Sequence, residues 1–281
     1  MSTRLGGTFL GEHLASHGYV VVAPDFPLTH AGAPGGPNEQ DVVNQPADVS
    51  FLIDRALAAG TEPPFDGAID RERIGVLGLS LGGATTTLVA FHPEWRDPRI
   101  AAAISLAGVG DVFGAAFYDH AAVPYLMIAG TADGILDYGA HAAPVPDRIR
   151  DGGLLTLAGG THLGFDQIAA GPMRILGNPD RAACLLASLG PEPDPESPFN
   201  GLFGSTEQGL IEVTEYALPC SRSYPDTMAA GRQQMLTAIA VRAFFESRFA
   251  RTRSERTAHE SFLRRTLPAE IPEATFTSSR R

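Results

Sequence analysis

Arg73-Ile74-Gly75-Val76-Leu77-Gly78-Leu79-Ser80-Leu81-Gly82-Gly83 is the stretch that decides the fold. Ile74 to Leu77 is a short apolar run and reads as a buried strand. A helical pattern runs from Ser80 to about Ala90. Between them stands Gly78-Leu79-Ser80-Leu81-Gly82, a G-x-S-x-G pentapeptide. Alone it is a weak pattern, and the bland alternative is a Gly-rich turn. The strand–turn–helix setting makes it specific. A serine on so tight a turn is strained, and the residues two away must lack bulk, which accounts for Gly78 and Gly82. The hydroxyl of Ser80 is then expected clear of the sheet, at a helix N-terminus that favours negative charge.

Outward from this stretch, apolar runs alternate with helical patterns. A helix is expected over Thr8 to Ser16, then a strand at Tyr19 to Ala23 (YVVVA), whose β-branched run suits burial on both faces. Asp25 to Ala47 reads as a loop. Asp48 to Ala59 carries a helical stripe at Phe51, Leu52, Ala56 and Leu57. Further strands are expected at Ile100 to Leu106, Tyr125 to Ala129 and Leu154 to Leu157. A last helix is expected from about Thr227 to Ala250, with Met235, Leu236, Ile239, Val241, Phe244 and Phe245 available to face the sheet. The pattern predicts an α/β fold, a mostly parallel sheet flanked by helices. It forms a single domain over residues 1–250 with an irregular insert at 171–226. The insert contains Pro191-Glu192-Pro193-Asp194-Pro195 and reads either as a functional lid or as a surface excursion. Residues 251–281 form a polar tail, expected to be a solvated helix with a frayed end.

Composition narrows the function. The chain has 281 residues, 44% apolar and 19% charged, enough to bury a sizeable core. Its net charge of −11 argues against nucleic acid and against anionic membrane surfaces. All 21 cationic side chains are Arg. Without lysine there is no Schiff base, no pyridoxal anchor and no phosphate-binding Walker lysine. Cys184 and Cys220 make no C-x-x-C pattern, so neither a zinc site nor a thioredoxin-type motif is expected. They are either a disulfide, implying an oxidising compartment, or two buried thiols. No run of 18 apolar residues spans a membrane, and Met1-Ser2-Thr3-Arg4-Leu5 has no signal-peptide apolar region. Gly108-Val109-Gly110-Asp111-Val112-Phe113-Gly114 is one residue off a dinucleotide fingerprint. No cofactor or metal is expected.

A serine hydroxyl needs a base. Of eight histidines, only His162 stands just beyond the last expected sheet strand, where functional groups of open parallel sheets gather. His13, His17, His92 and His259 read as structural or solvated; His120 and His141 are weaker rivals. The imidazole in turn needs an acid to set its tautomer. Asp133 follows the Tyr125 strand through Gly130-Thr131-Ala132, with Asp137 and Asp111 as competitors. Asp25 and Trp95 read as structural. Phe26, Phe113, Phe117 and Phe165 could line an acyl pocket or simply pack the core.

The chain resembles the α/β-hydrolase superfamily, and within it the dienelactone hydrolase-like and platelet-activating-factor-acetylhydrolase-like esterases. The matching stretches are Leu14 to Asp25, Arg73 to Gly83, Asp97-Pro98-Arg99-Ile100, Gly130 to Asp133 and Thr161-His162-Leu163-Gly164-Phe165. The order Ser80, Asp133, His162 is that of this superfamily. The resemblance implies Ser80 as nucleophile, His162 as base and Asp133 as its orienting acid. It implies ester hydrolysis through an acyl-enzyme, without a cofactor. The substrate would be a small-molecule or lipid/polyester ester; oligomeric state is not legible. One departure stands out. These enzymes carry a strand ending in His-Gly before the first helix, and its loop supplies one oxyanion-hole N–H. Here only six or seven residues precede the helix, with no His-Gly and no strand before it, so the N-terminal strands read as missing and Leu5-Gly6-Gly7 as the remnant of that loop. The expected donors are Leu81 N–H and, in place of the lost loop, Leu5 N–H. Loss of one such donor costs about 10²–10³ in rate. That departure also motivates a rival reading, a catalytically impaired hydrolase fold used for binding. Acyl transfer or peptide hydrolysis on the same triad is a third. As the chain stands it reads as cytoplasmic; an upstream signal segment with a Cys184–Cys220 disulfide would make it periplasmic or secreted.

Overall fold

Residues 3–189, 194–222, 224 and 227–281 are described by a computed structural model. Part of the Pro191–Pro195 stretch, residues 191–193, lies outside them. The chain order is helix α1 (Thr8–Ala15), α2 (Gln45–Ala59), strand β1 (Ile74–Leu79), α3 (Leu81–Phe91), β2 (Ile100–Leu106), β3 (Tyr125–Gly130) and β4 (Gly152–Leu157). Then follow α4 (Asp180–Ala187), α5 (Ala230–Phe249), α6 (Arg253–Ser261) and β5 (Ala274–Ser278), with short helical turns between. The five strands form one sheet in the order β1-β2-β3-β4-β5. The first four run parallel and β5 is antiparallel to β4. This is the α/β-hydrolase arrangement, a mostly parallel sheet between helices.

Two apolar clusters cover the two faces. On one, α5 packs Leu236, Val241, Phe244 and Phe245 against Ile104, Leu106, Leu126, Leu155 and Leu157. On the other, Leu88, Val89 and Phe91 of α3 meet Tyr125 and Met127, with Phe113, Phe117, Tyr118, Phe199 and Phe203 beside them. The Phe203 ring stacks on both Phe113 and Phe199. Phe113, Phe117 and Phe165 are therefore core residues, each buried. The 171–226 segment is anchored here through Phe199 and Phe203. It also contributes α4, and Leu210 bridges to Phe113.

Three local expectations differ from the structure. Tyr19 to Ala23 forms no strand and pairs with no described strand, and Val20, Val21 and Val22 are 45%, 43% and 52% exposed. β1 is the edge of the sheet among the described strands, and this β-branched run does not pair with its free side. On α5, Met235 points outward, while Gln233, Gln234 and Thr237 are buried. The segment after Arg251 is not frayed: Leu263 and Leu267 are buried, and β5 pairs residue by residue with β4 from Leu157↔Ala274 to Gly153↔Ser278. Among the described residues, no helix is long and apolar enough to cross a membrane.

Candidate active site

Because β1 to β4 are parallel, their carboxyl ends lie on one edge of the sheet. Ser80 follows β1, Asp133 lies three residues past β3, and His162 five past β4. Ser80 adopts φ 57°, ψ −117°, and is only partly buried. Its N–H donates to Leu106 O, which ties the turn to β2, and its own carbonyl accepts from Gly83 and Ala84 as α3 begins. Leu81 is the first residue of α3, where N–H groups have no acceptor within the helix.

The glycines around Ser80 are there for unequal reasons. A Cβ on Gly78 would stand 2.0 Å from Gly82 O, so Gly78 is sterically required. A Cβ on Gly82 would meet nothing within 4 Å. Gly83 is the second tight position, where a Cβ would come within 2.7 Å of Gly108 Cα. The expected pairing of Gly78 with Gly82 thus becomes Gly78 with Gly83.

His162 and Asp133 meet. His162 Nδ1 donates to Asp133 Oδ2 at 2.8 Å, and both side chains are buried. Asp133 Oδ1 accepts from the N–H groups of Ile135 and Leu136, which fixes the carboxylate plane. Nδ1 faces a carboxylate and so carries the proton, leaving Nε2 as the acceptor. Burial disfavours charge on His162, but the Asp133 carboxylate, its hydrogen bond and the charge of Asp180 outweigh it and hold the imidazole pKa above the ordinary value.

The rivals are engaged elsewhere. Asp137 caps the helical turn Tyr138–His141 through Ala140 N–H and pairs with Arg222. Asp111 pairs with His141, both buried. His120 Nε2 donates to Gln208 O. His92 stacks on Trp95 at 3.9 Å between ring centres and donates to Phe203 O, a structural role for both rings. Asp25 accepts from Arg4 N–H and its guanidinium, bracing the N-terminal turn. In that turn (Arg4–Gly7), Leu5 is 65% exposed and its N–H points to Thr3 Oγ1 at 3.4 Å.

Two supporting residues were not legible. Gln233, on α5, receives Thr161 N–H on Oε1 (3.0 Å) and gives Nε2–H to Thr161 O (2.8 Å), so it grips the backbone just before His162. Its only mark in the sequence is a polar residue at a position of the helix that faces inward, beside Gln234 and Thr237. Asp180, at the start of α4, accepts three backbone N–H groups: Gly134 and His162 on Oδ2 (2.9 and 2.8 Å) and Leu163 on Oδ1 (2.8 Å). Burial raises its pKa, and those donors and the His162 charge pull against the rise. Nothing in the sequence pattern marks it. Cys184 and Cys220 form a disulfide, which decides between the two expectations. A cavity of ≈ 630 Å³ opens beside Gly134, lined by Asn178, Asp180, Cys184 and Tyr224 among others; Ser80 does not line it.

The family model for PET hydrolase-like proteins matches residues 3–171. Cutinase 1 of Thermobifida cellulosilytica is 32% identical over 164 residues, 57% of this chain and 56% of that protein. The cutinase of Thermobifida fusca (strain YX) is 32% identical over 164 residues, 57% of this chain and 48% of that protein. The chain thus spans about half the length of these relatives. The matched stretch holds β1 to β4 together with Ser80, Asp133 and His162, and it stops before α4. On this match over more than half its length, the chain belongs to the PET hydrolase-like family.

Proposed function

We propose that this protein hydrolyses carboxylic esters through an acyl-enzyme formed on Ser80. The observation that carries the reading is the buried Asp133–His162 hydrogen bond at the same sheet edge as a serine in a positive-φ turn. Family membership and the cutinase relatives support it.

Ser80 Oγ attacks the ester carbonyl carbon while His162 Nε2 takes the hydroxyl proton. Asp133 holds the resulting imidazolium through Nδ1–H. The carbonyl π electrons move onto oxygen, and Leu81 N–H, at the N-terminus of α3, donates to that oxyanion. Collapse breaks the ester C–O bond, and His162 returns the proton to the leaving alkoxide. Water repeats the sequence on the acyl-enzyme and frees the acid. In such sites the hydrogen bond between nucleophile and base is often long before substrate binds and tightens only in the complex. Leu5 N–H is the second proposed donor; at 3.4 Å its bond to Thr3 is weak enough to be exchanged for a substrate oxygen. The substrate class is a soluble or polymeric ester, as the names of the relatives suggest.

The test is direct. Ser80→Ala is expected to lower kcat on a p-nitrophenyl ester by about 10⁴-fold or more, and a fluorophosphonate probe to label Ser80 in the parent. Parent-level turnover by the variant overturns the proposal.

A further inference from the structure

The acid and the base sit on different loops, one after β3 and one after β4, and catalysis requires them to hold one mutual geometry. Asp180 touches both loops. Its Oδ2 accepts from Gly134, the residue after Asp133, and from His162 itself; its Oδ1 accepts from Leu163. These three donors take three of the roughly four lone-pair sites that an ionised carboxylate offers. Gly134 is held a second time, since its carbonyl accepts from Cys220 N–H at 2.7 Å. Cys220 is covalently joined to Cys184, four residues after Asp180 on α4. The two grips on Gly134 are therefore one unit. Asp180 is itself braced, its N–H donating to Asn178 Oδ1 at 2.9 Å, while Asn178 Nδ2 donates to Tyr224 O at 3.0 Å. All of these gripping residues lie beyond the stretch that matches the family model.

We infer that Asp180 is a positioning residue for the reaction: through the backbone of Gly134, His162 and Leu163 it locks the acid loop to the base loop, and the 171–226 insert is the clamp that carries it. The inference rests on the Ser80–His162–Asp133 reading above. Asp180 touches no reacting atom, so its effect falls on how the base is held, not on how substrate binds. Misplacing a reacting group by 1 Å can cost about 10² in rate.

The experiment measures kcat and KM per fluorophosphonate-titrated active site, with melting temperature alongside. Asp180→Asn removes the charge and turns one acceptor into a donor facing an N–H. It is expected to lower kcat about tenfold with KM within about twofold. Asn178→Ala leaves the carboxylate but removes its brace, and is expected to lower kcat about threefold at unchanged KM. The second variant serves if the first does not fold. A merely structural role would lower melting temperature and leave kcat per active site untouched. Parent kcat per active site in Asn178→Ala and in any folded Asp180→Asn overturns the clamp while leaving the triad standing. Turnover that survives Ser80→Ala overturns both.

Discussion

Ser80 holds a positive-φ backbone that costs an L-residue on the order of 1–3 kcal/mol, and the surroundings must over-determine it. They do so through Leu106 O on one side and the first turn of α3 on the other. Gly78 and Gly83 allow the close approaches. His162 faces a different opposition: burial against the pull of Asp133 and Asp180, with the pull prevailing. The sign of the consequence follows. A base must be neutral to take the Ser80 proton, so kcat/KM rises as pH climbs through the folded-state pKa. Since that pKa lies above the ordinary 6.5, the half-maximal pH of kcat/KM on a neutral p-nitrophenyl ester is expected above 6.5. A midpoint below 6.5 would contradict it. Stability runs the other way: the contribution of the charged imidazole is complete below 6.5 and is lost as pH rises through the folded pKa. The residues at strand ends were legible because strand, turn and polar residue stand within six positions of one another. Gly82 misled because a motif gives the spacing of glycines but not which of them meets another backbone. Asp180 was hidden because a lone Asp in a Pro-rich stretch has no period or motif, and its partners are backbone groups far along the chain.

At the scale of elements, α5 and α4 do what apolar patterns do not announce. α5 buries Gln233, Gln234 and Thr237 toward the His162 side, so its inward face is partly polar and Met235 is turned out. The Cys184–Cys220 bridge closes a separation of 36 residues and joins α4 to Cys220, whose N–H holds Gly134 O in the loop after β3. A cross-link of that span removes unfolded-state entropy worth about 3–4 kcal/mol in the chain-entropy account. The Cys184→Ser/Cys220→Ser double variant is expected to melt several degrees lower, and to lose about threefold or more in kcat as the grip on Gly134 relaxes. Calorimetry and ester turnover check the two halves separately, and an unchanged melting temperature contradicts the first. Tyr19 to Ala23 is the opposite lesson. Its β-branched composition reads as a strand, yet composition supplies no partner, and β1 borders no described strand on its open side. Extended backbone becomes sheet only where a neighbour accepts its hydrogen bonds.

For the whole molecule, the last residues close the sheet beside the strand that leads to His162. β5 covers the outer edge of β4 along five paired positions, and Glu273 O accepts from Ala158 N–H at 2.7 Å at the start of the base loop. Glu273 also takes Arg232 on both carboxylate oxygens, which links this edge to α5. The final residues add ion pairs, Arg280 to Asp147 and Arg281 to Asp119. These contributions are unequal. Exposed pairs are worth about 0–1 kcal/mol each, whereas an uncovered strand leaves a row of unpaired backbone groups and invites association. Seven Arg and four Glu among its 31 residues make the tail read as solvated, yet Leu263, Leu267 and Ala274 are buried and Phe262, Ile271 and Phe276 pack against the same core cluster. Removing Arg280 and Arg281 alone is expected to shift the melting temperature by about 4 °C or less. Ending the chain at Ile271 is expected to lower it by about 5 °C or more, with concentration-dependent association in light scattering and a loss of ester turnover. Equal melting temperatures for the two truncations would mean that β5 contributes no more than its terminal ion pairs. In that case the loop that carries His162 would take its position from Gln233, Asp180 and its bonds to Thr131, Ala132 and Met228.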